Sequence, residues 1–146
     1  MKATFALLTD REGYNLVRKL AWACHTAIRT GTTHCRLPPH ISLKQPFRVP
    51  DTAAAEHYMS DLARSIQPFE VRLTEVQVKP LLHEGADAGI LLLAVAESEI
   101  LRGLHERVNR ELRERFGNTD APYDGPDYVF HMTIVLGGQP CRRWPF

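Results

Sequence analysis

The chain lacks a long apolar segment. Its longest apolar run covers residues 90–96, whereas a helix needs about 20 apolar residues to cross a bilayer. The N-terminus carries Lys2 but neither a long apolar stretch nor a small-residue cleavage site, so no secretory signal is readable. We therefore expect a cytoplasmic protein that makes no contact with a membrane.

The chain also lacks an excess of charge of either sign. Its 18 lysines and arginines nearly balance 17 aspartates and glutamates, which leaves a formal net charge of +1. Proteins that track long nucleic acids usually carry a basic excess, because they neutralise many phosphates at once. The balance favours a small or terminal phosphate substrate.

Cysteine is scarce, and several common motifs are missing. Cys24, Cys35 and Cys141 are an odd number without a Cys-x-x-Cys spacing, which indicates reduced thiols rather than a disulfide framework. Neither zinc-finger spacing nor His-Glu-x-x-His occurs, so we expect no metal site. The Gly-x-x-x-x-Gly-Lys loop, the Rossmann glycine pattern and the Gly-x-Ser-x-Gly elbow are absent as well, and we expect no cofactor.

The chain does contain a short pattern that occurs twice. Residues 39–44 read Pro-His-Ile-Ser-Leu-Lys, and residues 130–135 read Phe-His-Met-Thr-Ile-Val. Alternate side chains on a β-strand share a face, so each copy places a histidine and a hydroxyl on one side. His40 and Ser42 would lie about 6.6 Å apart along the strand, enough to flank one tetrahedral anion. The apolar residues that point to the core would be Ile41, Leu43, Met132 and Ile134.

The paired pattern resembles the signature of the two-histidine phosphoesterase superfamily, which includes 2'-5' RNA ligase-like proteins and cyclic nucleotide phosphodiesterases. Residues 39–44, followed by Pro46 and Phe47, are especially close to the first motif of that superfamily. The resemblance implies one α+β domain over residues 1–146, with two lobes of antiparallel sheet flanked by helices. The lobes would be related by an approximate two-fold axis, with one motif strand from each facing a central cleft.

The resemblance also implies a metal-independent phosphoesterase. Its substrates would be cyclic (2',3'-type) or 2'-5' linked phosphodiesters of nucleotides or RNA ends, and the reaction could run in reverse as a 2'-5' RNA ligase. His40 and His131 would act as acid and base, because imidazoles titrate near neutral pH. Ser42 and Thr133 would donate hydrogen bonds to the non-bridging phosphate oxygens. Lys44 is expected either to add a positive charge at the cleft mouth or to be a solvated lysine at the strand end.

Two tyrosines lie in or beside the polar loop that precedes the second motif. Tyr123 and Tyr128 are candidates for stacking on a nucleobase, and simple packing in the fold is the alternative. The other histidines considered, His25, His83 and His105, are expected to contribute nothing to activity.

Hydrophobic periodicity predicts the order strand, helix, strand, helix, strand, strand, helix, strand. The predicted strands cover 2–9, His40 to near Pro50, Phe69 to near Pro80 with a bulge or a twist near Thr74-Glu75, 90–96, and about 128–136. The predicted helices cover 11–30, Asp51 or Thr52 to Pro68, and Ser98 to Gly117. Asp10, Asp51 or Thr52, and Ser98 are the expected N-caps, and Gly31 is expected to end the first helix.

The end of the chain departs from the family pattern. Members of the superfamily usually continue past the second motif with a further helix and strand, whereas ten residues follow Leu136 here. Either the chain is a shortened variant or its end was lost. In both cases we expect a strand edge or apolar patch to be left uncovered, with Trp144 and Phe146 in the tail. Self-association through this region, or a tail that folds back, is the expected consequence.

A rival hypothesis keeps the cleft without the chemistry. The chain would then be a non-catalytic module that binds nucleotides or RNA termini, and turnover of a 2',3'-cyclic nucleotide would separate the two. A scaffold protein with chance motifs would have no affinity for phosphate.

Overall fold

The computed structural model describes residues 1–30, 33–80 and 88–140. In these ranges, strands and helices follow one another in the predicted order. The strands are β1 (Lys2–Leu8), β2 (His40–Arg48), β3 (Leu73–Pro80), β4 (Ala88–Val95) and β5 (His131–Pro140). The helices are α1 (Arg11–Ile28), α2 (Thr52–Ser65) and α3 (Glu99–Phe116), with a short 3-10 helix at Thr33–Arg36. The predicted α+β class, with antiparallel sheets and flanking helices, is confirmed.

Each helix begins after a residue whose side chain caps the first turn, as predicted. The first amides of a helix have no partner within it, and an oxygen just before the helix satisfies one of them. The caps are Asp10 to the amide of Gly13 (2.8 Å), Asp51 to the amide of Ala54 (3.0 Å) and Ser98 to the amide of Leu101 (3.3 Å).

Helix α1 ends earlier than predicted. Arg29 has a φ of 56°, in the left-handed region, and its amide donates to the carbonyl of His25 at 2.9 Å. A single residue in this conformation closes a helix, and here an arginine takes the place that was expected for a glycine. Gly31 itself lies outside the described residues.

The first of two compact units holds Met1–Leu7, Ser42–Arg72 and Glu97–Val129. It contains the two-stranded sheet β1-β2. The two strands run antiparallel, because the carbonyl of Met1 accepts from Val49 while the hydroxyl of Thr4 donates to the carbonyl of Lys44. Helices α2 and α3 pack their apolar faces against this sheet, and the core includes Phe5, Leu43, Phe47, Tyr58, Leu62, Val108 and Leu112.

The second unit holds Leu8–Ile41, Leu73–Ala96 and the chain from Phe130. Its sheet has the antiparallel order β3-β4-β5. The 3-10 helix and α1 both lie against β5. The central strand β4 is buried, as its apolar run predicts: Leu91, Leu92 and Leu93 are 2%, 2% and 6% exposed.

Strand β3 is shorter than predicted. Its first ladder pair is Leu73 with Val95, so the alternating residues Phe69 and Val71 precede the strand. Alternation indicates extended backbone but does not guarantee a partner strand. The predicted bulge is confirmed, because the register shifts between Leu73 and Val76.

Strand β5 begins at His131 rather than Tyr128 and continues past Gly137-Gly138 to Pro140. The predicted end of this strand at about residue 136 is therefore wrong. The register shifts between Ala88 and Ile90 on the partner strand, which takes up the extra residues there without ending the pairing. The 3-10 helix at Thr33–Arg36 precedes the first motif.

Several expectations fall outside the described residues. His83 lies there, as does the tail from Cys141 with Trp144 and Phe146. A single domain over residues 1–146 and self-association through the C-terminal region stay predictions.

Candidate active site

The two copies of the repeated pattern have the same position in their strands and the same burial. His40 opens β2 and His131 opens β5. In each copy the histidine and the hydroxyl residue two positions later are half-buried. The apolar residues between and after them lie in the core: Ile41 and Leu43 are each 2% exposed, Met132 1% and Ile134 0%. The predicted burial of these four apolar side chains is confirmed.

His40 has a defined local environment in the second unit. Pro38 and Pro39 hold the approaching backbone away from helical conformations, so that a strand begins at His40. The Nδ1 atom of His40 lies 2.8 Å from the carbonyl oxygen of Pro38. A carbonyl only accepts, so this bond requires a proton on Nδ1. A neutral His40 then carries its lone pair on Nε2, where it can accept a proton.

The backbone ladder holds the second motif. His131 lies opposite Ala94, and Thr133 lies opposite Leu92 in the antiparallel pair β4-β5. The register shifts immediately after Thr133, so that Ile134 is an extra residue on β5. Bulges of this kind bend a strand and redirect side chains near functional sites.

His40, His131 and Thr133 belong to the second unit, whereas Ser42 belongs to the first. Within the second unit, the 3-10 helix at Thr33–Arg36 lies against β5. Only the segment 37–39 separates that helix from His40. The backbone segment that leads to His40 therefore starts beside β5, the strand that begins with His131.

In the first unit, side chains rather than a third strand hold the first motif. We call Tyr128, His105 and Asp124 the β2 clamp. The hydroxyl of Tyr128 donates to the carbonyl of Ser42 (2.8 Å), Nδ1 of His105 bonds the carbonyl of Leu43 (2.9 Å), and Oδ1 of Asp124 accepts from the amide of Gln45 (3.0 Å). Helix α3 and the loop after it thus hold β2 from residue 42 to residue 45.

Lys44 is buried, contrary to both predictions from the sequence. It is 1% exposed, and its ammonium pairs with the carboxylate of Asp124, which is 4% exposed. Lys44 is therefore neither a solvated lysine at the strand end nor an uncompensated charge at a cleft mouth. Strand parity gives the face of the side chain but not its depth, and a charge at this depth needs a partner.

Tyr128 is also placed differently from the prediction. Its ring is 4% exposed and stacks on His105, with ring centroids 4.3 Å apart. Burial raises the pKa of Tyr128 to about 12. Both ring and hydroxyl serve internal packing, so stacking of Tyr128 on a nucleobase is wrong. Tyr123 is 62% exposed and has a φ of 70°, and base stacking by Tyr123 stays a prediction.

Sequence reasoning missed His105 and Asp124. His105 is 3% exposed, so a substitution there would not be silent as expected. A signal was present, because His105 falls in the buried series Leu101, His105, Val108 and Leu112 at helical spacing. Asp124 lies in a loop with no periodicity, and nothing local distinguishes it from the neighbouring Asp120 and Asp127.

A groove of about 420 Å³ lies in the first unit beside α3 and the loop at Asp124–Pro126. None of the side chains predicted to bind substrate or catalyse lines it. In the described ranges, no group of three or more His, Cys, Asp or Glu residues could hold a metal ion. No helix in those ranges is long and apolar enough to span a membrane.

Comparison with known proteins gives one family. A model described as the 2'-5' RNA ligase superfamily matches residues 17–140. Among solved structures the chain is similar to Usb1 of Kluyveromyces marxianus, with 19% sequence identity and a TM-score of 0.44, over 92% of this chain and 68% of that one. No curated protein sequence matches the chain.

Proposed function

We propose that this chain, which belongs to the 2'-5' RNA ligase superfamily, is a metal-independent phosphoesterase. Its substrates would be cyclic (2',3'-type) or 2'-5' linked phosphodiesters of nucleotides or RNA ends, with reversal as a 2'-5' RNA ligase. Members of the superfamily act on RNA or nucleotides. The proposal therefore specifies which phosphodiesters within that substrate class this chain would use. A cytoplasmic location is part of the proposal, and the odd number of cysteines without a Cys-x-x-Cys spacing supports that location.

One observation supports the proposal above all others. Two strands, 91 positions apart along the chain, each open with a histidine, follow it with a buried apolar residue and then present a half-buried hydroxyl. If the histidine and hydroxyl of each copy were merely exposed to solvent, there would be no reason for the two copies to show the same burial at every position. A site that surrounds one phosphate from two sides would need it, because both strands must present the same two groups.

In the proposed reaction, one histidine takes a proton from water while the water oxygen bonds to phosphorus. The bond from phosphorus to one sugar oxygen breaks, and the other histidine delivers a proton to that oxygen. His40 is suited to accept a proton at Nε2, given its Nδ1 contact with Pro38. The acid and base exchange roles when the reaction runs backwards, so both assignments belong to the proposal.

Ser42 and Thr133 would hold the non-bridging oxygens, where charge must be stabilised through the transition state. Lys44 is not assigned to phosphate, because Asp124 already compensates its charge. Tyr123 is exposed and precedes the second motif in the sequence, and it is the remaining candidate for stacking on a base.

The test is a substrate panel of 2',3'-cyclic, 2'-5' linked and 1'',2''-cyclic phosphodiesters, with the regiochemistry of the products read out in the presence of a chelator. We expect turnover of at least one of the first two classes. Binding of a 2',3'-cyclic nucleotide without turnover would favour the non-catalytic module instead. Absence of both binding and turnover would overturn the proposal.

A further inference from the structure

The first motif strand is held in an unusual way beyond its single sheet neighbour. In the described part of the chain, β2 pairs only with β1. A strand with one neighbour can twist and shift in register more easily than a central strand. The β2 clamp acts at this point, with bonds to the carbonyl of Ser42, the carbonyl of Leu43 and the amide of Gln45.

We propose that the β2 clamp positions the Ser42 hydroxyl toward the reacting phosphate, so that Tyr128, His105 and Asp124 are positioning residues. The inference rests on the proposed function, because it needs Ser42 to contact phosphate. It assigns a role to three residues that lie outside the repeated pattern and that do not themselves touch substrate.

The geometry gives each member a separate part. Tyr128 fixes the carbonyl of Ser42 itself, which limits rotation of the backbone on the C-terminal side of that residue. His105 fixes the next carbonyl, and its ring supports the ring of Tyr128 at 4.3 Å. A group that binds a transition state must be held to within roughly 0.5 Å, and supporting hydrogen bonds supply that precision.

The third member anchors the strand at the far side. Asp124 holds the amide of Gln45 with one oxygen and the ammonium of Lys44 with the other. The side-chain amide of Gln45 in turn donates to the hydroxyl of Tyr128 at 3.3 Å. The three members are therefore linked to one another through β2.

Tyr128 keeps its donor near neutral pH. Burial raises the pKa of Tyr128 to about 12, so its hydroxyl stays protonated near neutral pH. Loss of the Tyr128 hydroxyl should therefore lower the rate without moving the limbs of the pH profile. Loss of a catalytic histidine should remove a limb.

The test is a double-mutant cycle with Tyr128→Phe and Ser42→Ala, measured on a 2',3'-cyclic nucleotide. Tyr128→Phe keeps the stacked ring and removes the hydroxyl, which donates to the carbonyl of Ser42 at 2.8 Å and accepts from the side-chain amide of Gln45 at 3.3 Å. We expect it to lower kcat about 3- to 10-fold with little change in KM, because the lost interaction matters in the transition state. In the Ser42→Ala background the same change should have almost no effect.

Tyr58→Phe is the matched control, since Tyr58 is a buried tyrosine of the same unit and lies 2% exposed in its core. It should leave kcat unchanged. Equal losses from Tyr128→Phe in both backgrounds would overturn the inference, since Tyr128 would then act on stability or through another residue. So would an unchanged kcat in the Tyr128→Phe variant.

A second pair of variants examines His105. His105→Asn keeps a donor near the position of Nδ1, whereas His105→Leu fills space without one. We expect the asparagine variant to retain most of the kcat and the leucine variant to lose about as much as Tyr128→Phe. Equal activity of the two would contradict a role through the carbonyl of Leu43.

The wild-type protein separates the two proposals. If it turns the nucleotide over, the cycle on kcat decides the inference alone. If it binds without turnover, the phosphoesterase proposal fails and the same cycle, measured on the dissociation constant, decides the inference. If it neither binds nor reacts, both are overturned.

Discussion

The two motif strands present the same sequence pattern but are held by different means. In β5, the ladder with β4 fixes His131 and Thr133 through the backbone. In β2, the clamp residues His105, Asp124 and Tyr128 fix the strand through their side chains. Equivalent chemistry can therefore rest on supports of different kinds. Substitutions far along the chain from β2 should therefore affect the function of β2.

The largest effect should come from the histidines, and it should be the same for both strands. His40→Ala and His131→Ala should each lower kcat/KM by about 10²-fold or more, because each removes one of the two proton transfers. Steady-state kinetics on a 2',3'-cyclic nucleotide measures this. A small loss for one histidine and a large loss for the other would break the equivalence of the two strands.

His25→Ala is the matched control for that measurement. His25 lies on α1, where its Nδ1 faces the carbonyl of Thr30 and its ring lies 5.5 Å from that of Trp22. It belongs to neither motif, and its removal should leave the rate within about two-fold of wild type.

The next effect concerns the buried pair of Lys44 and Asp124 at the first motif strand. Asp124→Ala should lower the free energy of unfolding by about 3–5 kcal/mol, because it leaves the Lys44 ammonium buried without a counter-charge. Denaturant unfolding measures this. Asp61→Ala breaks an exposed pair with Arg64 and should cost no more than about 1 kcal/mol.

Replacing both members sharpens the same point. The double variant Lys44→Met with Asp124→Leu should recover much of the stability lost in Asp124→Ala, since it removes the buried charge along with its partner. If the double variant is as unstable as Asp124→Ala, the bond from Asp124 to the amide of Gln45 carries the stabilisation rather than the ion pair.

A smaller effect is expected at the hydroxyls. Ser42→Ala and Thr133→Val should each lower kcat about 10-fold, because each removes one of several donors to the phosphate. The comparison predicts different behaviour of the two in the Tyr128→Phe background. Thr133→Val should be additive with Tyr128→Phe, whereas Ser42→Ala should not be, and additivity in both cases would contradict a local role of the clamp.

The smallest effect is on stability at high pH. The pKa of Tyr128 is raised to about 12 from an ordinary value of 10.0. A raised pKa of this sign stabilises the fold fully below about pH 10, and the stabilisation is lost as the pH approaches 12. Between pH 10 and 12 the free energy of unfolding should therefore fall by up to about 2 kcal/mol less in Tyr128→Phe than in the wild type. An unchanged loss in urea titrations at these pH values would contradict it.

The contrast between the strands also explains what the sequence could predict. Alternation identified both motif strands and the core positions of Ile41 and Met132, because period two is a local property of the chain. Helix starts were equally local, since Asp10 and Ser98 act within three residues of themselves. The elements that hold β5 were predicted with it, as its partner β4 is an apolar run.

The support of β2 was not predictable in the same way. Lys44 and Asp124 are 80 positions apart, and no pattern links a strand residue to one carboxylate of a loop. Tyr128 offered two uses, stacking on a base or packing, and only its position against His105 decides between them. Side-chain contacts between residues distant in sequence depend on the tertiary structure. The buried contacts of Lys44, Asp124 and Tyr128 could therefore not be predicted from the sequence.

The most direct test of the central claim, that His40 and His131 act as an acid and base pair without a metal, is the pH dependence of kcat/KM with a chelator present. We predict a bell-shaped profile for hydrolysis of a 2',3'-cyclic nucleotide, with both limbs between about pH 5 and 8, and loss of one limb in each single histidine variant. Activity that disappears on chelation and returns with zinc, or full activity in the His40→Ala, His131→Ala double variant, would contradict it.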